Sequence, residues 1–489
     1  MFLGLDLGTT NVKVLLVEKN GGIVARASAP VQLFHVEDGG VEQDIEDIFA
    51  AVLTAIGRIA AAADVSSVQA LGVSSQGGAL QILDGDGRPL GRVISWLDAR
   101  GKPYDEAITR DMGTRELARH SGHPQGTMAL GQLLRLREHQ PELPAKPNRI
   151  GFVGDVIVSR LCGRWAHDAT SLSCAVLFNP STGLADPEML ERAGISEDQL
   201  PELISPREPA GGLLNEVAAK TSLAAGIPVS APVHDQYASA LGVGATAPGD
   251  VMFGSGTAWA LLAVSDRPML PASDIGFVCR HVVEGLYGQI LSMVNGGCTV
   301  TWALDLLGLS DKSGAEIDDL LDEIAPGADG LRVWPLLAPK GGAVLAAGTA
   351  GRLTGLRLGH GRTHVLRAVV EGLAMELARY LGFFADAGAA MERLVMCGGA
   401  AASRVTPQII ADTTGLPVAC ATESETGALG AAMLARGLLE PKRSLTEISA
   451  AMTPPLRVVE PGPDAALYQE MFAQYVAELP LDVVKKEQP

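Results

Sequence analysis

Aromatic side chains are scarce in this chain of 489 residues, at 4%, although hydrophobic residues make up 47%. The interior must therefore be built from Ala, Gly, Leu and Val, as in soluble α/β proteins. Cysteine is scarce too. The six (162, 174, 279, 298, 397 and 420) show no paired metal-ligand spacing and fall mostly in apolar runs. They read as reduced, buried thiols of a cytoplasmic protein. Positive charge is short, with 38 Lys and Arg against 56 Asp and Glu, a net charge of −18. That balance argues against a nucleic-acid backbone or an anionic membrane surface as general partner, and simple solubility is its plainest reading. No apolar run is long: residues 251 to 264 are broken by Gly, Ser and Thr and cannot span a bilayer. No basic segment or cleavage site precedes the first strand-like run, so no targeting segment is expected. The length exceeds one compact core, and two domains are expected.

What is present is concentrated in the middle, at residues 232–257, PVHDQYASALGVGATAPGDVMFGSGT. DVMF and AWALLAV are β-type runs around Gly254-Ser255-Gly256-Thr257, which makes a strand-turn-strand hairpin. Glycines allow backbone N–H groups to approach an anion closely and a Thr hydroxyl adds a donor, so the hairpin can grip a phosphate. The alternative is a glycine-rich hairpin with no ligand. The N-terminus repeats the device: in LGLDLGTTNVKVLLV, Gly8 and Thr9 align with Gly256 and Thr257, and Asp6 falls opposite Gly254. Internal duplication of this kind suggests two halves facing one nucleotide. The lone carboxylate, Asp6, suits a single Mg²⁺ held directly or through water. Asp235, between His234 and Gln236 at a strand-to-helix corner, is placed to take a proton from an alcohol, though the same position suits a helix cap.

The runs GLDLGTTNVK at the start, SWLDAR at 95–100, HDQYASALG at 234–242, GSGTA at 254–258 and GGAAASRVTPQIIADTTGLPV at 398–418 together resemble the FGGY family of carbohydrate kinases, xylulokinase-like members above all. The motifs run from residue 4 to about 435. The resemblance implies an α/β fold of two actin- or hexokinase-like (ribonuclease H-like) domains flanking a central cleft that closes to exclude water. Its expected boundaries are an N-terminal domain at 1–245, a C-terminal domain at 246–440 and a loop and helix at 441–489. It implies phosphorylation of a sugar hydroxyl by ATP with Mg²⁺, the acceptor being a ketopentose such as xylulose or else another ketose or a four- or five-carbon polyol. Asp235 becomes the base. Sugar contacts are expected from Gln76, Gly77, Trp96, Asp98, Arg100 and Gln236. Nucleotide contacts are expected from Gly8, Thr9, Thr10, Lys13, Gly254, Ser255, Gly256, Thr257, Gly297, Gly398, Gly399 and Ala400, and the metal ligand from Asp6. Partners are then a sugar and ATP, with no nucleic acid and no membrane, and a homodimer is the expected assembly. A nucleotide-driven switch ATPase of the same superfold is the reading from another class, and it has no use for Asp235-Gln236 or the WLDAR edge.

The chain departs from its relatives at Gly77-Gly78, where glycerol kinases carry Arg-Glu and xylulokinases Met-His, and at Gln132 and Arg135, where relatives show Lys and Trp. Glycerol is thereby disfavoured and D-xylulose put in doubt. Several residues keep a structural alternative: a core indole for Trp96, a loop-shaping ion pair for Asp98 and Arg100, and a solvated loop for Asp168. For Glu371 a solvent-facing or capping role is expected. Residues 44–63 read as an amphipathic helix capped by Asp44, with Asn20-Gly21-Gly22 as a hairpin turn before it. Glycines 398 and 399 read as a turn at the start of a helix, and the small residues after Gly427 as close packing. The final KKEQP reads as a frayed end.

Overall fold

The computed structural model describes residues 1–337 and 349–479, so KKEQP and the end of the expected loop VWPLLAPKGG lie outside the described residues. Strands β1 (Phe2–Leu7), β2 (Asn11–Val17) and β3 (Ile23–Pro30) form a meander. The β2–β3 turn contains Gly21 at φ +89°, a left-handed conformation that glycine adopts without strain. Three later strands complete the sheet: β4 (Ala70–Ser75), β5 (Pro209–Gly212) and β6 (Pro228–His234). Its order is β5-β6-β4-β1-β2-β3, with β1, β4 and β6 parallel. Helix α1 (Ile45–Ala62) covers it. Asp44 caps α1 by accepting the Glu46 N–H at 2.9 Å, and Ile45, Ile48, Val52, Ile56 and Ile59 are all at most 1% exposed. A side chain of that size contributes about 1.5–3 kcal/mol when fully buried, so this stripe holds the helix to the sheet.

A second sheet repeats the plan. Strands β7 (Asp250–Ser255), β8 (Trp259–Ser265), β9 (Arg393–Cys397), β10 (Val418–Cys420) and β11 (Arg457–Val459) run in the order β8-β7-β9-β10-β11. Within it β7, β9 and β10 are parallel, and β8 and β11 are antiparallel to their neighbours. Laid on the first sheet, this run matches β2-β1-β4-β6-β5 strand for strand and direction for direction. The duplication seen in two hairpins extends to five strands.

By contact the chain divides into two units. The first holds Met1–Ala247, Val264–Gln289 and Glu425–Pro454, and the second holds Pro248–Ala263, Ile290–Ser424 and the chain from Pro455. This differs from a linear split at residues 245 and 440. The cause is helix α5 (Thr426–Leu439), which lies against β1, β4 and helix α2 (Asp235–Val243) of the first unit. Its packing is backbone on backbone. A Cβ on Gly4 or Gly72 would overlap the carbonyl of Ala428 or Ala431, and one on Gly430 the carbonyl of Ala238. Glycine is required there by close approach.

In the second unit, helix α4 (Arg362–Asp386) carries Glu371, which is 2% exposed and neither solvent-facing nor a cap of its own helix. Its carboxylate meets Arg367 Nε at 2.8 Å and accepts from the Tyr468 hydroxyl and the Gly327 N–H. Burial of a carboxylate calls for such partners. Among the described residues no helix is long and apolar enough to cross a membrane.

Candidate active site

In the first unit three loops leave the carboxyl ends of parallel neighbours. Leu7, Ser75 and His234 are opposite one another in the ladder, so Gly8, Gln76 and Asp235 follow in a row. Ligands of open α/β sheets bind at such strand ends. Thr9 binds the row together. Its Oγ1 donates to Gln76 Oε1 at 3.1 Å and accepts from Trp96 Nε1 at 2.9 Å. Gln43 completes a ring, donating to the Thr9 carbonyl and accepting from Gln76 Nε2. Trp96 is 43% exposed and not a core indole. Its indole offers an open aromatic face beside Thr9.

Asp98 and Arg100 form the loop-shaping ion pair. The Asp98 carboxylate accepts from the N–H of Val41 and Arg100, from the Arg100 guanidinium at 2.6 Å and from Gln132 Nε2. Arg100 also meets Glu42 at 2.8 Å. These contacts hold the Asp98 carboxyl below its usual range despite its burial. Arg135 donates to Gln132, extending the same network.

Asp6 sits at the end of β1 and accepts from Ser74 Oγ at 2.7 Å. Burial first, and then Asp235, pushes its carboxyl up to about 6. Lys13 pairs with Glu425 at 2.7 Å. Gly427 faces Asp6, and a Cβ there would come within 3.2 Å of its carboxylate. Asp235 is the first residue of α2 and His234 occupies the cap position without a capping side-chain hydrogen bond, so Asp235 is not the helix cap. The Asp235 side chain is 33% exposed, with Oδ1 3.3 Å from His234 Nε2. Gln236 is half-buried beside it. Asp168 is buried, not on a solvated loop. It caps the short helix Ala169–Ser173 and binds the Thr170 hydroxyl, and burial pushes its carboxyl up to about 6.

In the second unit the turn is tighter than expected: Gly254 and Ser255 belong to β7, leaving Gly256, Thr257 and Ala258 between the strands. Helix α3 (Gly297–Leu306) braces it, the N–H groups of Gly297 and Cys298 donating to the carbonyls of Gly256 and Thr257 at 3.1 and 2.9 Å. Gly297 therefore supports the hairpin through its N–H. Cys298 is exposed, unlike the buried thiols expected. Ser255 Oγ donates to the Cys397 carbonyl and accepts from the Ala400 N–H, tying β7 to the Gly398 turn. Gly398, at φ +90°, leads into a 3₁₀ turn at Gly399–Ala402, and the α-helix starts only at Thr406. A cavity of about 610 Å³ opens between these loops. It is lined by Gly256, Thr257, Gly297, Gly399 and Ala400 and by the apolar Val300, Ile317, Leu321 and Leu373. Its volume and mixed lining suit an organic phosphate with an apolar end.

Comparison with known proteins agrees with this geometry. The N-terminal domain of the FGGY family of carbohydrate kinases matches residues 1–242 and its C-terminal domain residues 254–436. The chain belongs to the FGGY family of carbohydrate kinases. Its relatives include the gluconokinase of Bacillus subtilis (strain 168), 26% identical over 444 residues that are 88% of this chain and 86% of that protein. The xylulose kinase of Escherichia coli (strain K12) is 28% identical over 92% of both chains. Among solved structures, ligand-bound xylulose kinase from Lactobacillus acidophilus superposes with a TM-score of 0.89 at 26% identity, covering 97% of this chain and 96% of that one. The fold is thus the two-domain FGGY kinase fold, and the chain is an ATP-dependent sugar kinase. Sequence reasoning about this FGGY kinase missed Gln43, Ser74, Cys174 and Glu425. Ser74 alone carried a signal, since it lies two residues before Gln76 on a strand parallel to β1.

Proposed function

We propose that this FGGY kinase transfers the γ-phosphoryl group of ATP to a hydroxyl of a ketopentose such as xylulose, with Asp235 accepting the hydroxyl proton. The supporting observation is the row formed by Gly8, Gln76 and Asp235 at three parallel strand ends, which puts a partly exposed carboxylate beside polar side chains already ordered by hydrogen bonds. We assign the acceptor to the first unit, against Gln76, Gly77, the Trp96 face and Gln236, while Asp98 and Arg100 shape the loop. The phosphates and the adenosine go to the second unit's cavity.

The residues present fit Mg²⁺. Among the described residues no group of three His, Cys, Asp or Glu could hold a metal, and Asp6 keeps one oxygen beyond its bond to Ser74. Mg²⁺ bound to a nucleotide takes one or two protein carboxylates and fills its shell with phosphate and water, so a single Asp suffices. When bound, the ion neutralises charge on the phosphates. Asp6 would hold it, and Thr10 would offer its hydroxyl to the phosphate side, the Thr9 hydroxyl proton being given to Gln76.

Charge favours a neutral acceptor over an aldonate such as the gluconate of one relative's name. The two cations among the candidate residues are committed, Lys13 to Glu425 and Arg100 to Asp98 and Glu42, while the charge of Asp235 reaches Asp6 and helps to raise its carboxyl. A substrate carboxylate would be repelled there.

The test is coupled ADP release with Mg·ATP across ketopentoses, ketohexoses, tetritols, pentitols, glycerol and gluconate. A ketopentose should give the highest kcat/KM. Asp235→Asn should still bind both ligands and lose turnover by roughly 10²–10⁴-fold, the usual worth of a general base. Preserved turnover in that variant removes Asp235 from the mechanism. Preference for gluconate overturns the charge argument, and nucleotide binding with no acceptor raising ADP release turns the search to protein partners.

A further inference from the structure

Gly77 sits closer to its neighbours than a sugar contact alone requires. A Cβ at this position would lie 2.5 Å from His234 Cδ2 and 2.6 Å from Cys174 Sγ. Both distances are far inside van der Waals contact, so the space of a side chain at 77 is already filled, chiefly by the His234 ring. His234 is 7% exposed and held on every side. Its backbone N–H donates to Thr170 Oγ1 at 2.9 Å, and that hydroxyl donates in turn to the buried Asp168. Its ring packs edge-on against Tyr237 at 6.0 Å between centroids, and the Tyr237 hydroxyl is anchored on the Gly288 carbonyl at 3.0 Å. Burial keeps the imidazole neutral. Of its two nitrogens, Nδ1 has no hydrogen-bond partner among the described residues, and Nε2 stands 3.3 Å from Asp235 Oδ1, a contact not yet aligned as a hydrogen bond, of the kind that tightens once substrate is bound. A neutral ring with its proton on Nε2 is the tautomer that can donate toward that carboxylate.

We propose that His234 is a positioning residue: clamped between Gly77, Tyr237 and the Thr170–Asp168 tether, its Nε2–H holds the Asp235 carboxylate in one orientation toward the acceptor hydroxyl, and Gly77 is glycine because the ring needs its space. This rests on Asp235 being the base. The arrangement follows a general catalytic logic, in which the base is itself oriented by a third group. It also gives Gly77 a role in the reaction beyond lining the acceptor site. His234 takes no proton and touches no substrate; its effect passes through Asp235 alone.

The experiment is a double-mutant comparison with Mg·ATP and D-xylulose, or the panel member turned over if that differs, reading kcat and both KM values. His234→Ala should lower kcat about 10- to 100-fold with the KM for ATP unchanged, the loss expected when a general base is misdirected. His234→Gln keeps an N–H in reach and should recover to within about 5-fold of the parent, as a retained hydrogen bond predicts. In the Asp235→Asn background the same His234→Ala change should cost less than about 2-fold more, because residues acting as a unit are not additive. Gly77→Ala presses on the ring and should lower kcat in the parent and not in Asp235→Asn. Four results overturn the proposal: full activity in His234→Ala, an equal loss in both backgrounds, a folded His234→Gln no better than Ala, or a Gly77→Ala loss that persists without Asp235. If His234→Ala fails to fold, as judged by its melting transition, the Gln and Gly77 variants decide alone. Asp235→Asn with full turnover sinks the base itself. Asp235→Asn inactive beside His234→Ala at full rate sinks only the role of His234.

Discussion

The two hairpins have the same chain geometry and different attachments. In the first unit the Gly8–Thr10 turn is tied mainly by side chains, Thr9 to Gln76, Gln43 and Trp96, beside a backbone bond from the Val31 N–H to the Thr10 carbonyl. In the second the Gly256–Ala258 turn is tied by backbone, through the N–H groups of Gly297 and Cys298, and opens onto the large cavity. The loop after the next parallel strand follows suit. Gln76 after β4 is a polar side chain locked in a ring of amides, whereas Gly398 after β9 is bare backbone beside Ser255. Side chains suit the hydroxyls of a particular sugar, and backbone N–H groups suit phosphate oxygens. A duplicated scaffold has thus been divided by what each copy presents at the same two strand ends.

The sharpest way to break this division is to remove its one asymmetric carboxylate. Asp6→Asn should reduce Mg·ATP turnover by roughly 10²–10³-fold, the scale of losing a metal-held transition-state contact. Steady-state kinetics check this, and a variant as active as the parent would leave the first hairpin without its distinguishing role. A smaller effect compares the two threonines. Thr9→Val should raise the acceptor KM roughly 3- to 10-fold by releasing Gln76 and Trp96, and Thr257→Val should raise the KM for ATP by a similar factor, each the worth of about one hydrogen bond. If both variants weakened ATP alone, the first hairpin would be a second phosphate loop and no more.

The smallest effect contrasts buried acids. Glu371 of the second unit is paired with Arg367. Each keeps one carboxylate oxygen with no hydrogen-bond partner among the described residues, but Asp105, on the helix Lys102–Met112 of the first, makes no ion pair there, and burial pushes its carboxyl up to about 7. A folded-state pKa above the unfolded one means that ionisation costs stability: the penalty is complete above about pH 7 and fades as pH falls toward 4. Asp105→Asn should therefore stabilise the protein at pH 8 by about 1–3 kcal/mol, with the gain vanishing near pH 4. Melting curves at the two pH values read this directly, and a gain equal at both would place its cause elsewhere than the titration.

Legibility in the sequence followed the range of the interactions. Helix α1 was readable to its cap because its signal, isoleucines at helical spacing after Asp44, is local. Both hairpins were readable from glycine and threonine between β-type runs. The candidate row was partly readable, since Gln76 and Asp235 each follow a strand-like run. Their adjacency was not, because it depends on the register of β1, β4 and β6. Glu371 was misread as solvent-facing because its partner Tyr468 lies far along the chain. Asp98 and Arg100 carried two readings, and the ion pair among Val41, Glu42 and Gln132 was hidden because those partners lie far along the chain. Helix α5 was recognised as a close-packed helix. Its membership of the first unit was hidden, because Gly and Ala faces carry no hydrophobic address.

That helix has a consequence for how the protein is made. The first unit's central sheet needs Ala428 and Ala431 against Gly4 and Gly72, with no side chains between them that could pack provisionally against something else. A ribosome releases the two surfaces at opposite ends of its task, so β1 and β4 wait, uncovered on one face, while the second unit up to Ser424 is synthesised. Domains that fold during translation ordinarily finish N-terminus first. Here the first unit to begin is the one that cannot finish until residues 426–439 have emerged, and its exposed sheet is where a chaperone would be expected to bind nascent chains stalled before that point.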